Sequence, residues 1–253
     1  MKSNTDDKLF FTPPWPCPPQ VKAFSTLRGQ RDNSCHYSGF NVSDTVNDEP
    51  SNVQSNRQYL QDTLQCPSSP YWLQQVHGTT ITSLDSTKPV LQADSAITQT
   101  PGKVCVIMTA DCLPILICNR QGTEVAAIHA GWRGLLAGII DQTVQRLSSK
   151  PNDLLIWLGP TIGPQALELN ASIKDQFIAA NTSWQQGFHQ IENNRWFADL
   201  QHIASIRLKE LNITNIYTDT RCTFHHPDNF YSYRRDGAQT GRMAHLIWLA
   251  EPL

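Results

Sequence analysis

The ten residues Val125-Ala-Ala-Ile-His-Ala-Gly-Trp-Arg-Gly134 constrain this chain more than any other stretch. Small and apolar residues run into His129, and the backbone then meets Gly131 and Gly134, which bracket Trp132 and Arg133. From there Leu135, Leu136, Ile139, Ile140, Val144 and Leu147 recur at helical spacing. The pattern predicts a buried strand, a tight turn and an amphipathic helix over 135–147, with a histidine and an arginine at the junction. Such a junction holds functional groups on a rigid base, and a new helix offers unpaired backbone N–H groups to an anion. Arg133 sharpens the expectation, because a cation at a helix N-terminus opposes the helix dipole unless an anion joins it. A glycine turn with a surface arginine and a core histidine accounts for the same residues.

Around that junction strands and helices alternate. Pro13, Pro14, Pro16, Pro18 and Pro19 around Trp15 exclude a helix, so residues 1–19 read as an extended entry segment. Val21 to Thr26 predicts a first strand, and the polar stretch from Arg28 to Pro50 a long loop of the kind that carries function. Val53, Arg57, Leu60 and Leu64 share helical spacing and predict a helix over 51–64, stopped before Pro67. Strands are predicted over 71–76, 79–83, 104–109, 113–118, 124–129, 154–158, 215–218 and 241–249. Helices are predicted over 171–180 and 196–211, the second with Asn212 as its C-cap. No repeat and no linker divides residues 20–253, which read as one domain.

Composition removes several classes of partner. A formal net charge of -2 gives no electrostatic case for nucleic acid or an anionic membrane. No apolar run reaches the roughly 18 residues of a membrane span, and polar Met1 to Asp7 lacks the apolar core of a secretory signal. The seven cysteines form an odd set without a CxxC pair, which predicts reduced thiols and a cytoplasmic protein. Any metal site must then be assembled from distant positions.

Three such positions stand out. His77, Cys112 and His129 each follow a predicted buried strand and each adjoin turn-forming residues: Gly78, Asp111 with Pro114, and Gly131. Two imidazoles and a thiolate suit zinc, leaving a fourth position for water or substrate, and the same ligands bind copper. The separations of 35 and 17 residues match no short metal motif, and buried cysteines with strand-end histidines are common without a metal. Cys112 beside a histidine is also the arrangement of a nucleophilic hydrolase. The remaining histidines (36, 189, 202, 225, 226 and 245) read as surface or core residues. Asp94 and Asp111 are candidate general acid or base groups, against the alternative of turn or cap aspartates. Arg57, Arg133 and Arg235 are candidate anion binders, against the default of solvated surface arginines. GxGxxG, Walker A, GxSxG and zinc-deaminase patterns are all absent.

Five segments carry a resemblance: Gln75-Val-His-Gly78, Thr109-Ala-Asp-Cys-Leu-Pro114, His129-Ala-Gly-Trp-Arg-Gly134, Gly159-Pro-Thr-Ile-Gly-Pro164 and Tyr231-Ser-Tyr-Arg-Arg-Asp-Gly237. In order, from about residue 20 to the C-terminus, they resemble the multicopper-oxidase-like laccase-domain family, now read as the YfiH family of purine nucleoside phosphorylases. The resemblance implies an α/β fold, a single-domain layered sandwich of two β-sheets flanked by helices and shared with some cysteine hydrolases. It implies zinc on His77, Cys112 and His129, with copper as the alternative. It also implies phosphorolysis of adenosine, inosine and methylthioadenosine to free base and ribose 1-phosphate, with adenosine deamination as a side activity. Asn41 takes the place of the family's asparagine, and both Asn41 and Gln75 are expected at the substrate. Two segments depart from the pattern: Ser25-Thr-Leu-Arg-Gly-Gln-Arg-Asp32 lacks the usual double glycine, and Leu167-Glu-Leu169 replaces Y-E-V.

Residues and resemblance converge on a nucleoside over an open metal site. Phosphate is held by Arg133, with Arg235 and the helix N-terminus, and attacks ribose C1′, while Asp94 or a metal-bound group handles the proton on the base. In deamination the metal lowers the pKa of a bound water instead. The expected partners are a purine nucleoside and phosphate, without nucleic acid or membrane, and the expected state is a monomer or weak homo-oligomer. A Cys112 amidase, including one acting in peptidoglycan precursor editing, a copper polyphenol oxidase and a non-catalytic binding module are the rival readings. One obvious ligand set counts against an oxidase that needs several coppers.

Overall fold

A computed structural model describes residues 9–29, 37–192 and 194–251. Residues 1–8, Cys35 and His36 lie outside the described residues, as does part of the loop predicted from Arg28 to Pro50. The first half contains β1 (Phe10–Phe11), β2 (Val21–Thr26), α1 (Pro50–Thr63), β3 (Tyr71–Trp72), β4 (Ile81–Ser83), β5 (Ser95–Thr98), β6 (Val104–Thr109), β7 (Leu113–Asn119) and β8 (Val125–Ala130). Next come α2 (Trp132–Leu136), α3 (Ile139–Arg146), β9 (Leu154–Leu158), β10 (Glu168–Asn170), α4 (Ala171–Ala180) and β11 (Phe188–Glu192). The chain closes with β12 (Arg195–Ala198), α5 (Leu200–Glu210), β13 (Asn215–Thr218), the single turn α6 (Tyr233–Asp236) and β14 (Met243–Leu249).

The longest apolar runs, β6, β7, β8 and β14, are buried at every position, which requires a covering layer on both faces. Two sheets stacked face to face meet that need: a five-stranded sheet ordered β1-β2-β14-β6-β3 and a six-stranded sheet ordered β13-β9-β7-β8-β5-β4. Alternation along each strand divides the side chains. Cys105 and Ile107 of β6 meet Leu116, Cys118 and Ala127 of the other sheet. Val104, Val106 and Met108 point the opposite way, into a cluster with Leu60 of α1. The outer face of the six-stranded sheet packs Ile115, Ile117 and Ile128 against Ile140 of α3 and Leu208 of α5. Burying each such side chain contributes about 1.5–3 kcal/mol. The layers are therefore helix, sheet, sheet, helices, an α/β sandwich as the motifs imply. No helix among the described residues is long and apolar enough to cross a membrane.

Several predicted elements change on folding. The helix predicted over 135–147 is two helices, because Gly138 at φ +88° separates α2 from α3. Glycine enters that left-handed conformation without a Cβ clash, whereas an α-helix cannot continue through it. The helix predicted over 196–211 begins as β12, the centre of a small sheet ordered β10-β12-β11. Asp199 then starts α5 by accepting the His202 N–H at 2.9 Å. Leu211, not Asn212, is the C-cap of α5, and Asn212 follows it at φ +63°, the left-handed residue that ends the helix. The segment Ser95–Thr98, where the sequence predicts no strand, is one, held between β4 and β8. Only Ile97 and Thr98 carry the β-branched signal by which strands are recognised, a run too short to stand out in sequence.

Two connections place the site. The chain leaves the five-stranded sheet at β3 and enters the six-stranded sheet at β4, and it repeats that passage from β6 to β7. His77 lies on the first crossover and Cys112 on the second. His129, in β8 of the six-stranded sheet, is the third candidate ligand.

Candidate metal centre

Folding brings together the three residues that are 35 and 17 positions apart in sequence. His77 Nε2 lies 3.8 Å from Cys112 Sγ, and the ligand atoms of His77, Cys112 and His129 all fall within 4.8 Å of one another. The two imidazoles meet edge to face with centroids 4.7 Å apart. Tetrahedral bonds of about 2.0–2.3 Å separate such ligand atoms by about 3.4–3.8 Å, so the set fits one ion after a closure of about 1 Å. His129 is buried, Cys112 half-buried and His77 exposed, so the cluster opens to solvent on the His77 side.

The supporting residues explain why the ligands point as they do. Asp94, fully buried, hydrogen-bonds His129 Nδ1 at 2.8 Å and thereby leaves Nε2 for a metal. The same carboxylate accepts the backbone N–H groups of His77 at 2.9 Å, Gly78 at 2.7 Å and Val76 at 3.3 Å. His77 sits at φ +59°, an uncommon backbone state for a non-glycine residue, and these three bonds hold it there. Gly131 is required by space: a Cβ there would lie 2.8 Å from Cys112 Sγ and 3.0 Å from His77 Cδ2.

The charges are coupled. Burial disfavours the Cys112 thiolate, but the His129 and His77 imidazoles outweigh it and bring the thiol down to about 6. Burial likewise opposes charge on His129, yet the Cys112 thiolate and Asp94 raise it to about 9. Asp94 is held below the usual carboxylate range despite its burial, because His129 and the Gly78 and Val76 N–H groups favour the anion. His245 behaves differently. Burial, reinforced by the charge on His129, takes it down to about 3, and it bridges Ser25 Oγ at 2.8 Å and Thr109 Oγ1 at 2.9 Å as a neutral core group.

Other sequence-predicted residues are found in internal networks. Asp111, at φ +87°, accepts hydrogen bonds from Thr223 Oγ1 at 2.6 Å, Ser232 Oγ at 3.0 Å and the Arg234 N–H at 2.6 Å. Its carboxylate therefore braces the turn that presents Cys112. The Gln75 amide accepts the Met108 N–H at 2.7 Å and donates to the Met108 carbonyl at 2.8 Å, continuing the β3–β6 pairing with a side chain. Asn41 accepts the Ser43 and Arg242 N–H groups, each at 3.0 Å, and donates to Ser43 and Asp48. Arg57 donates to the Val42 carbonyl, pairs with Asp44 and lies over Trp72 at 4.2 Å. Arg235 spends every guanidinium N–H on Asp236 and on the carbonyls of Thr223, Phe224 and Phe230. In this conformation it has no donor left for phosphate. Arg133 differs: it is exposed, stacks on Trp132 at 4.2 Å and has no carboxylate partner among the described residues.

Arg242 is the residue that sequence reasoning missed. It precedes β14, which pairs antiparallel with β6 from Met243 opposite Thr109, so Arg242 runs beside the Ala110-Asp111-Cys112 turn. Its charge interacts with both Cys112 and Asp111. The available signal was Gly241-Arg242 at the mouth of a buried strand, the same glycine-flanked strand end that marks His77 and His129. A separate cleft of about 550 Å³, lined by Pro164, Gln165, His189 and Phe197, opens beside the small sheet.

Against this geometry, a family model described as multi-copper polyphenol oxidoreductase laccase matches residues 22–250. A Pseudomonas aeruginosa protein named purine nucleoside phosphorylase is 43% identical over 96% of this chain and 99% of its own length. The Escherichia coli purine nucleoside phosphorylase YfiH is 42% identical over 94% of this chain and 97% of its own. Among solved structures, Neisseria meningitidis protein NMB0706 superposes with a TM-score of 0.89 at 38% identity, covering 96% of this chain and 100% of that one.

Proposed function

This chain belongs to the multi-copper polyphenol oxidoreductase laccase family, and from that premise we propose that it is a purine nucleoside phosphorylase. Adenosine, inosine and methylthioadenosine are its substrates in this reading, zinc is its metal in preference to copper, and adenosine deamination is a side activity. Residues 20–253 form the single catalytic domain of a cytoplasmic protein, a monomer or weak homo-oligomer. The observation that carries the reading is the His77–Cys112–His129 cluster, three convergent ligands open on one side and oriented from beneath by Asp94. The names of the relatives supply the reaction.

The ligands His77 Nε2, Cys112 Sγ and His129 Nε2 would hold the ion, which supplies a Lewis acid at the open side. Asp94 fixes the His129 tautomer and is a positioning residue, because all its contacts face inward. Arg133, exposed and lacking a carboxylate, holds phosphate near the cluster. A phosphate oxygen bonds to ribose C1′ as the bond from C1′ to the purine nitrogen breaks, and the departing base nitrogen takes up the proton that the hydrogen phosphate gives up. Holding both reactants in line lowers the barrier by removing the entropy cost of their encounter.

The Cys112–His129–Asp94 line also favours a second reading, a cysteine hydrolase with Cys112 as nucleophile. One experiment separates them. Metal-analysed protein is incubated with adenosine, with and without phosphate, and after chelation. Adenine released only with phosphate, and lost on chelation, supports the phosphorylase; inosine alone indicates a deaminase. Wild-type and His129→Ala proteins equally inert towards adenosine would sink the nucleoside reading.

A further inference from the structure

We propose that Arg242 forms the inner anion-binding group of this site, taking a phosphate oxygen beside the His77–Cys112–His129 cluster while Arg133 approaches from the solvent side. The identity of the anion as the phosphate cosubstrate rests on the phosphorylase reading; the anion site itself does not.

The first support is an unmatched charge. Six arginines among the described residues are not fully exposed: Arg28, Arg57, Arg207, Arg221, Arg235 and Arg242. The first five each have a carboxylate, from Asp236, Asp44, Asp141, Asp219 and Asp236 respectively. Arg242 has no ion pair among the described residues. A guanidinium partly withdrawn from water without a directly paired carboxylate is costly, and an anionic ligand would offset that cost. Burial holds Arg242 below the ordinary guanidinium range although Cys112 and Asp111 pull it the other way. Asp111 acts on it only at a distance, without an ion pair, and its carboxylate oxygens are hydrogen-bonded to Thr223, Ser232 and the Arg234 N–H.

The second support is geometry. Nη1 of Arg242 donates to the carbonyls of Thr240 at 2.6 Å and Gly241 at 3.0 Å, and its backbone N–H donates to Asn41 Oδ1 at 3.0 Å. These bonds anchor one edge of the guanidinium and leave Nε and Nη2, the other edge, without a partner among the described residues. That edge is the fork with which arginine takes two oxygens of a phosphate. The strand register sets Arg242 against the Cys112 turn, and its charge interacts with Cys112, so an anion there adjoins the Cys112 side of the ligand cluster. Asn41, an expected substrate contact, acts in this arrangement through Arg242.

The test uses metal-loaded full-length protein, with inorganic phosphate and adenosine as probes. For wild type, Arg242→Gln and Arg242→Lys, KM for phosphate, KM for adenosine, bound metal per chain and the phosphate-dependent rise in Tm are measured. Arg242→Gln is expected to raise KM for phosphate by about 10–100-fold, the loss of a charge-assisted pair of hydrogen bonds, and to abolish the Tm rise. KM for adenosine and metal content stay at wild-type values, and Arg242→Lys recovers part of the phosphate affinity because it restores charge without the fork. An unchanged phosphate KM and Tm response in Arg242→Gln overturns the proposal. If that variant does not fold, Arg242→Lys decides: a wild-type phosphate KM overturns the proposal, and a selectively raised one supports it. A wild-type protein that gives no phosphate-dependent adenine, yet is stabilised by phosphate only while Arg242 is present, would reject the phosphorylase and keep the anion site.

Discussion

Replacing Gly131 by alanine isolates the metal centre from the fold. Gly131 has φ -65° and ψ 163°, a conformation open to any residue, so alanine meets no backbone strain. On that ground alone Gly131→Ala would stabilise the protein by about 0.4–1 kcal/mol through its unfolded state. The new Cβ, however, would lie 2.8 Å from Cys112 Sγ and 3.0 Å from His77 Cδ2. Unstrained contacts begin near 3.5 Å, so the sulfur must retreat by about 0.7 Å and the imidazole by about 0.5 Å. Metal bonds tolerate only about 0.2 Å. In metal-free protein His77 is exposed and Cys112 half-buried, so both can swing aside. Metal-free stability is therefore expected to stay within about 1 kcal/mol of wild type. Zinc affinity is expected to fall by at least about 10–100-fold, the loss typical when a residue supporting the ligands is changed. Chelator competition gives the affinity, and thermal unfolding with and without zinc gives the two stabilities. Wild-type zinc affinity in Gly131→Ala would refute the steric argument and with it the assignment of His77 and Cys112 to a common ion.

Two further outcomes follow from the same geometry. Asp94→Asn places an amide NH₂ against backbone N–H donors that now point at a carboxylate oxygen, and each donor left without an acceptor costs about 1–3 kcal/mol. Urea unfolding should show that loss together with about 10–100-fold weaker zinc binding, and full zinc affinity would contradict the role given to Asp94. Metal-free protein should be alkylated by iodoacetamide fastest at Cys112, whose thiolate is present above its lowered value of about 6 and is lost as pH falls through it. Burial pushes Cys17, Cys66, Cys105 and Cys118 upward, so they should lag. Peptide mapping across pH 5–8 checks both, and zinc should protect Cys112; labelling spread evenly over these thiols would contradict the electrostatic account.

The candidate ligands were legible because each lies at the end of a predicted strand beside a turn residue, a signal contained within a few positions. The layers were legible for the same reason, since runs such as Val104–Thr109 and Leu113–Asn119 demand cover on both faces. Less could be read where the partner is remote. Ser95–Thr98 is a strand because β4 and β8 flank it, and Arg195–Ala198 because β10 and β11 do. The arginines show the limit most clearly. Arg235 and Arg242 look alike in sequence, yet only the folded chain assigns Asp236 and three carbonyls to the first and, among the described residues, no carboxylate to the second.

The two aspartates extend that argument to the crossovers themselves. A chain that passes between stacked sheets leaves both hydrogen-bond ladders at the edge of the core, where its backbone groups still need partners. His77 and Asp111 take up left-handed backbone there, at a cost of about 1–3 kcal/mol each. Each turn is then braced by a carboxylate: Asp94 gathers three N–H groups around His77, and Asp111 ties its own turn to Thr223, Ser232 and Arg234. Only Asp94 also reaches a ligand imidazole. Strain, bracing and ligand orientation are thus combined at Asp94 and His129, whereas Asp111 holds the Cys112 turn in place without touching a ligand side chain. This division makes Asp94 the link through which the packing of the two sheets is transmitted to the geometry of the His77–Cys112–His129 cluster.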